Sequence, residues 1–295
     1  MIIRWLACSC ASLLLLAAAA CGPPRPNHPV IGAKNFTEQV ILGELLAQHI
    51  ESRTGMKVDR RFYLAGSYIC NQALLDGRID AYVEYTGTAL TAILKQPVEK
   101  DPQRALEVVR RLYRRKYDIT VAPPLGFENT FAMVIRGDQA RALHVTTLSQ
   151  AAEYAPRWKL GVGYEFQERP DGLRGLEQTY GLHFDGNPRV MDLGLLYRAI
   201  DEHQVDMIAG NSTDGPIEAL GLTVLADDRH YFPPYQAVPL VRQQALLRWP
   251  QLGAALNDLG GKITAEEMRS MNEAVDGAHR DPVEVVREFR KAHGL

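Results

Sequence analysis

Cationic and aromatic side chains recur at predicted loop positions of this chain. They are Lys34, Phe36, Tyr85, Phe131, Arg169 and Tyr235. An arginine offers a planar fork to a carboxylate, and a lysine offers a point charge. Aromatic faces attract a quaternary ammonium, which has no hydrogen to donate, through the cation–π interaction. Residues of both kinds in one cleft predict a binding site for a small zwitterion or cation.

Catalytic motifs are weak or missing in the sequence. Gly210–Asp214 departs from the nucleophile pattern G-x-S-x-G at its last position. Gly161–Gly163 is followed by Phe166 where a dinucleotide fingerprint needs Gly or Ala. There is no P-loop, and the eight histidines show no spacing typical of metal ligands. The sequence therefore predicts a binding protein, not an enzyme, with no cofactor and no metal.

The bulk composition excludes one class of partner. The formal net charge is −2 and 46% of the 295 residues are hydrophobic. A chain of this length can bury the cores of two lobes, and a nearly balanced charge predicts no binding of nucleic acid.

The elements that must position these residues alternate between short β-rich runs and helical periods. The first helix is predicted from Thr37 to about Thr54. Strands are predicted on either side of this helix, at Ile31–Gly32 and Val58–Phe62. A helix at Asn71–Asp76, a strand at Ile79–Glu84 and a helix at Thr88–Leu94 are predicted to follow. This succession predicts an α/β fold with helices flanking a sheet.

The layout of this first region is repeated later in the chain. "NQALLDGRIDAYVEYTGTAL" and "LLYRAIDEHQVDMIAGNSTDG" each combine a helix, a tight turn, a hydrophobic residue with Asp, a strand and a Thr-containing loop. The repeat predicts two similar lobes with equivalent loops facing each other across a ligand cleft. Two segments, 127–131 and 231–235, are predicted to cross between the lobes. We place lobe I at 30–131 and 235–295, and lobe II at 132–234.

Two helices are predicted at the C-terminal end of the chain. Thr264 and Glu267 form a capping box at the start of the first helix. Asp281-Pro282 begins the second helix, and Gly294 ends it. We interpret both helices as packing elements of lobe I and nothing more.

The N-terminus is typical of an exported protein. Residues 1–20 are predicted to be a signal peptide, and Cys21 follows small residues as in a bacterial lipobox. Lipid on Cys21 and a proline-containing tether over 21–29 would hold the protein at the cell envelope or in the periplasm. Cys70 is then the one cysteine left without a role, and we interpret it as a small buried hydrophobe.

Several longer motifs together resemble a known family. They include "AKNFTEQVILGELLA", "GRIDAYVEYTGTAL", "GFENTFAMVIR", "EFQERPDGLRGLEQTYGL" and "YFPPYQAVPLVR". In this order they resemble the osmoprotectant-binding proteins of ABC importers, the glycine betaine/carnitine/choline-binding components, including the OsmF-like branch. The resemblance covers essentially residues 30 to 290. It implies a type II periplasmic-binding-protein fold with two inter-lobe crossovers and a monomer that delivers its ligand to a permease driven by an ATPase.

The resemblance also implies roles for individual residues. Lys34, Thr88 and Arg169 would meet the carboxylate of the ligand. Tyr85, Phe131 and Tyr235 would form an aromatic cage for its ammonium, with Asn129 as a polar neighbour of the cage.

Asn211 departs from the family pattern, since strong glycine betaine binders of the family tend to carry another cage tyrosine there. A missing wall costs up to about 2 kcal/mol, or more than tenfold in affinity. We therefore expect weak binding of glycine betaine or a different preferred ligand, unless Tyr68 supplies the wall. The alternatives are another betaine-like or amino-acid-like solute, a sensor protein, and an exported enzyme.

Overall fold

The computed structural model describes residues 27–295, which form two five-stranded sheets. The signal peptide and Cys21 lie outside the described residues. The strands are β1 (Val30–Gly32), β2 (Asp59–Arg61), β3 (Ala81–Tyr85), β4 (Ile119–Val121), β5 (Phe131–Arg136), β6 (Leu160–Val162), β7 (Arg189–Val190), β8 (Met207–Asn211), β9 (Leu222–Val224) and β10 (Ala237–Arg242).

Helices cover both sheets. They are α1 (Thr37–Thr54), α2 (Ser67–Leu75), α3 (Thr86–Thr88), α4 (Pro102–Tyr117), α5 (Gly137–Leu143), α6 (Leu148–Ala151), α7 (Tyr164–Glu168), α8 (Leu173–Tyr180), α9 (Leu193–Asp201), α10 (Pro216–Ala219), α11 (Gln243–Arg248), α12 (Gln251–Asp258), α13 (Ala265–Asp276) and α14 (Pro282–His293). A π-helical turn, Ala89–Ile93, continues α3, and a 3₁₀ turn, Ala155–Arg157, precedes β6. Within residues 27–295, no helix combines the length and the apolar character needed to cross a bilayer.

The two sheets have the same topology. The first has the order β2-β1-β3-β10-β4 and the second the order β7-β6-β8-β5-β9. In each sheet the first three strands are parallel, and the fourth strand is antiparallel to both of its neighbours. We call the half built on the first sheet the first lobe and the other half the second lobe. The predicted α/β fold with two similar lobes is confirmed.

The repeat extends to single residues. Asp80 accepts a hydrogen bond from the Val30 N–H, 3.0 Å away, just before β3. Asp206 accepts one from the Lys159 N–H, 2.9 Å away, just before β8. Each aspartate ties the start of its own strand to the neighbouring parallel strand, so β3 and β8 end at equivalent places.

Two adjacent crossings join the lobes. The first crossing, between β4 and β5, pairs with the second, between β9 and β10, at the bridge of Glu128 with Gln236. Phe131 is already the first residue of β5 and lies opposite Asn211 in the second sheet. Lys100 of the first lobe donates to the carbonyl of His230, 2.6 Å away, and also to that of Tyr231. This lysine holds the second crossing against the first lobe.

The C-terminal helices pack on α1, as predicted. Met268 of α13 and Val286 and Phe289 of α14 belong to the same buried core as Leu45. Both N-caps are confirmed: Thr264 and Glu267 form the capping box, and the Asp281 side chain accepts from the Val283 N–H. The prediction was wrong in limiting these helices to packing, because α13 also contributes a side chain at the junction of the lobes.

Cys70 is fully buried on α2, and burial raises the pKa of its thiol to about 12. A thiol that stays protonated at neutral pH is a poor nucleophile. The interpretation of Cys70 as a small buried hydrophobe is confirmed.

Candidate functional site

A cavity of about 230 Å³ lies between the lobes, where the carboxyl ends of the parallel strands face each other. Eight of the nine residues predicted for the ligand site line it: Lys34, Tyr85, Thr88, Asn129, Phe131, Arg169, Asn211 and Tyr235. Tyr68 is not among the lining residues. Its ring is 39% exposed, and the Lys95 ammonium lies 5.2 Å from its centroid.

A buried ion pair forms the floor of the cavity on the first-lobe side. Lys34 follows β1 and is 3% exposed, with its Nζ 2.5 Å from Oε1 of Glu84. The Tyr82 hydroxyl donates to the other oxygen of Glu84 at 3.0 Å. The Lys34 ammonium also lies 4.9 Å from the centroid of the Tyr85 ring. The lysine therefore reaches the cavity with its charge already compensated by its own lobe.

Tyr85, the last residue of β3, is anchored from behind by a buried carboxyl group. Its hydroxyl donates to Oε1 of Glu38 at 2.5 Å, and the Asn129 amide donates to the same oxygen at 2.9 Å. Oε2 of Glu38 accepts from the Thr213 hydroxyl of the second lobe at 2.5 Å. The Asn272 amide of α13 donates to the Thr213 carbonyl at 2.7 Å. Glu38 thus connects an aromatic wall of the cavity to the contact between the lobes.

Glu38 is enclosed completely, and this desolvation raises the pKa of its carboxyl group above the usual value. The hydrogen bonds from Thr213, Tyr85 and Asn129 act in the opposite direction. Burial also raises the pKa of the Tyr85 phenol. The tyrosine therefore stays neutral and remains a hydrogen-bond donor to Glu38.

A second buried ion pair approaches the cavity from the second lobe. Arg169 is 4% exposed, and its Nε and Nη2 lie 2.9 and 2.5 Å from the two oxygens of Asp171. Its remaining nitrogen donates to the Thr88 hydroxyl of the first lobe at 3.0 Å. The Tyr235 hydroxyl donates to Asp171 at 2.6 Å. Although burial alone would raise the pKa of Asp171, the Arg169 charge and these hydrogen bonds lower it overall.

The aromatic rings of the cavity are packed edge to face. The Phe131 centroid is 5.8 Å from that of Tyr235 and 4.8 Å from that of Phe166. The Arg169 guanidinium lies 4.8 Å from the Phe131 centroid. Arginine and aromatic rings stack favourably in this way, so the guanidinium holds the ring of Phe131 in place.

Twelve further described residues line the cavity, among them Phe36, which was named from the sequence without an assigned role, and Tyr164, Glu165 and Phe166, which were missed. The internal repeat could have indicated them, because the loop after β6 is equivalent to the loop after β1 that carries Lys34 and Phe36. Glu165 accepts the Ser67 N–H at the start of α2 from across the cleft, at 2.5 Å. A Cβ at Gly66 would lie 2.1 Å from the same oxygen, so glycine is needed for this contact.

Comparison with known proteins agrees with this architecture. Residues 29–292 match the family described as the substrate-binding domain of ABC-type glycine betaine transport systems, OpuAC. The chain belongs to this family. It is the substrate-binding component of an ABC importer of the glycine betaine class and not an enzyme, as predicted.

Individual relatives are similar over most of the chain. The carnitine transport binding protein OpuCC of Listeria monocytogenes is 34% identical over 261 residues, which cover 88% of this chain and 84% of that protein. The ergothioneine transport permease/ergothioneine binding protein EgtU of Helicobacter pylori is 32% identical over 96% of this chain and 51% of its own length. The crystal structure of a glycine betaine/carnitine/choline ABC transporter protein is 34% identical, with a TM-score of 0.75 over 90% of this chain and 98% of that one.

Proposed function

We propose that this protein captures a quaternary-ammonium solute in the cavity between its lobes and delivers it to a permease with an associated ATPase. The observation that carries the proposal is the aromatic lining. Tyr85, Phe131 and Tyr235 reach one cavity from the end of β3, from the start of β5 and from the second crossing. A quaternary ammonium has no N–H to donate in hydrogen bonds, and aromatic faces attract it through the cation–π interaction once water is removed.

The charges around the cavity support a cationic group in the ligand. Lys34 is paired with Glu84 and Arg169 with Asp171. Two more carboxylates, those of Glu165 and Asp192, belong to the lining. Because the described lining holds no cation without an acidic partner, an ammonium is electrostatically favoured over a purely anionic ligand.

The proposed roles follow the contacts. The rings of Tyr85, Phe131 and Tyr235 would surround the ammonium. A ligand carboxylate, where there is one, would accept from Lys34, Thr88 and the Arg169 nitrogen that already faces Thr88. Asn129 would act through Glu38, to which it donates. We also keep as proposals that Cys21 carries lipid, that residues 1–20 are a signal peptide, that residues 30–131 with 235–295 and 132–234 are the lobes, and that the chain belongs to the OsmF-like branch.

Calorimetric titration of the purified protein with glycine betaine, carnitine, choline and tetramethylammonium tests the proposal. We expect at least one of these compounds to bind, with an affinity that drops more than tenfold in Phe131→Leu and is retained in Phe131→Tyr. Leucine fills much of the space but has no π face, so the pair isolates the cation–π contribution. Binding of an amino acid such as proline, with no response to any of the four quaternary-ammonium compounds, would refute the proposal.

A further inference from the structure

The second-lobe wall of the cavity places an amide beside an aromatic ring. Phe131 and Asn211 lie directly opposite each other in the antiparallel pair of β5 and β8. Residues in this relation have Cβ atoms about 4.5–5.5 Å apart and project from the same face of the sheet. Both side chains line the cavity. A ligand whose ammonium rests on the Phe131 ring therefore has the Asn211 amide within reach of its next substituent.

The orientation of this amide is fixed by an acidic neighbour. The Asn211 Nδ2 lies 3.2 and 3.1 Å from the two carboxyl oxygens of Asp214, and the Asn211 backbone N–H donates to Asp214 at 2.9 Å. The reverse orientation would place the amide oxygen against Oδ2 of Asp214, which already accepts from the Asn211 N–H and the Tyr197 hydroxyl. Because the NH₂ group is held by Asp214, the amide presents its Oδ1, a pure acceptor, on the other side. Within residues 27–295, no hydrogen bond to this oxygen is present.

Asp214 is itself held in place. The hydroxyl of the buried Tyr197 on α9 donates to it at 2.7 Å. This approach requires glycine at position 210, because a Cβ there would lie 2.3 Å from the Tyr197 hydroxyl oxygen. The chain from Tyr197 through Asp214 to Asn211 therefore forms a rigid support behind one acceptor atom of the cavity.

We propose that Asn211 accepts a hydrogen bond from the ligand, so that the site selects quaternary-ammonium compounds with a hydroxyl group near the ammonium over those with none. Asn211 is then a specificity-determining residue, and Asp214 and Tyr197 are positioning residues. Choline and carnitine both carry a hydroxyl on the second carbon from the nitrogen. Glycine betaine has no hydrogen-bond donor. The inference rests on the proposed function and names the class of solute that this cavity prefers.

Two matched pairs of ligands isolate the hydroxyl group. Propyltrimethylammonium is choline with the hydroxyl replaced by a methyl group, and γ-butyrobetaine is carnitine without its hydroxyl. Calorimetric titration of the purified protein with all four compounds gives two ratios of affinity, one for the cations and one for the zwitterions. We expect the hydroxylated member of each pair to bind about fivefold more tightly, as for one hydrogen bond between neutral groups.

The variants separate recognition from stability. Asn211→Leu removes the acceptor at similar size, and both ratios should fall to about one while both members of each pair still bind. Asp214→Ala should reduce the ratios partially, because the amide then turns freely. Asn257→Leu, the same exchange on the exposed face of α12, is the control and should leave both ratios unchanged. Asn211→Ala is the second variant if Asn211→Leu does not fold.

Each outcome decides the question. Binding of all four compounds with ratios near one in the unaltered protein overturns the inference and leaves the proposed function intact. Equal losses for both members of each pair in Asn211→Leu also overturn it, because the residue would then act only through the shape of the site. No binding of any of these four compounds overturns the inference, and titration with glycine betaine and tetramethylammonium then decides whether the proposed function fails with it.

Discussion

Tyr85 and Asn211 occupy equivalent positions in the two lobes. Each is the last residue of a five-residue strand that begins directly after a structural aspartate, Asp80 or Asp206. Each side chain is also anchored by a carboxyl group, Glu38 behind Tyr85 and Asp214 behind Asn211. The same scaffold thus places an aromatic ring at one strand end of the cavity and an amide at the other.

The two strand ends show how a repeated fold can recognise an asymmetric ligand. The sheet topology fixes where the two strand ends meet, and the residue placed at each end decides what that side contacts. A cavity with aromatic faces on both sides would suit a ligand with methyl groups all round. A cavity with an amide beside the aromatic rings of one side fits a ligand with a methylated end and a polar end.

Substitutions in the buried ion pairs should reduce stability the most. Lys34–Glu84 stays within the first lobe, whereas Arg169–Asp171 also contacts Thr88 and Tyr235. Asp171→Asn should lower the free energy of unfolding by about 3 kcal/mol, because it leaves a buried guanidinium without its counter-ion. Denaturant titration measures this loss. The affinity for ligand should fall as well, since both Arg169 and Tyr235 lose their common partner.

Glu202→Gln is the matched control for this prediction. Arg198 and Glu202 form an ion pair in the same lobe, 2.7 Å apart, but away from the cavity and exposed. Its loss should change the stability little and leave the affinity unchanged. Equal losses of stability in the two variants would contradict the assignment of Arg169–Asp171 as the pair that joins the lobes.

The next effect tests the comparison of Tyr85 with Asn211 directly. Asn211→Tyr adds an aromatic face at this strand end, beside Phe131, and it should tighten the binding of glycine betaine by about tenfold. Calorimetric titration measures the change, and Asn211→Phe shows whether the ring alone suffices. Unchanged affinity in both variants would count against the aromatic cage, because the added ring at position 211 would then make no contact with the ammonium of the ligand.

Thr213→Val is expected to have a smaller effect. Thr213 is fully buried, and its hydroxyl bond to Glu38 joins the second lobe to the first. Its loss should weaken the binding of every ligand by about fivefold, the worth of one hydrogen bond, without changing the preference among ligands. Thr37→Val is the control, because the Thr37 hydroxyl donates to Asp276 within the first lobe, at 2.5 Å. A drop in affinity for the control of the same size would show that the bond acts through stability alone.

The parts of the fold that depend on local pattern were predictable from the sequence. The capping box at Thr264 and the helix start at Asp281 involve neighbours in sequence, and both are confirmed. Boundaries that depend on packing were not. The polar loop predicted over Tyr85–Thr88 is the end of β3 followed by α3, in a region where a Cβ at Gly87 would lie 2.7 Å from the Tyr235 ring. That constraint comes from a residue far away in the chain.

The candidate site was likewise predictable only in part. Cations and aromatic residues at strand ends could be named from the sequence, because few structural roles require those residue types in loops. Their acidic partners could not. In the sequence, Glu38 is an ordinary acidic residue in the first turn of a helix. Its hydrogen bonds with Tyr85, Asn129 and Thr213 form only in the folded chain. Such partners decide which way Tyr85 and Asn211 face, so the sequence predicted the residues of the site better than their orientation.

The weakest change should come from the two carboxyl groups behind the strand ends, through the dependence of protein stability on pH. Burial raises the pKa of Glu38 and raises that of Asp214 from 3.8 to about 7. A carboxyl group with a raised pKa stabilises the folded protein below its unfolded pKa and loses that contribution as pH rises through the folded value. For Asp214 this window runs from about pH 4 to about pH 7.

Asp214→Asn removes this titration and keeps the shape of the side chain. The variant should therefore gain stability relative to the unaltered protein as pH rises from 5 to 8, by a few degrees in melting temperature. Thermal melts of both proteins across this range measure the difference. A difference that stays constant between pH 5 and pH 8 would mean that Asp214 is an ordinary ionised acceptor throughout this range. Asn211 would then be held by a full charge at every pH of the range, and its acceptor side would face the ligand all the more firmly.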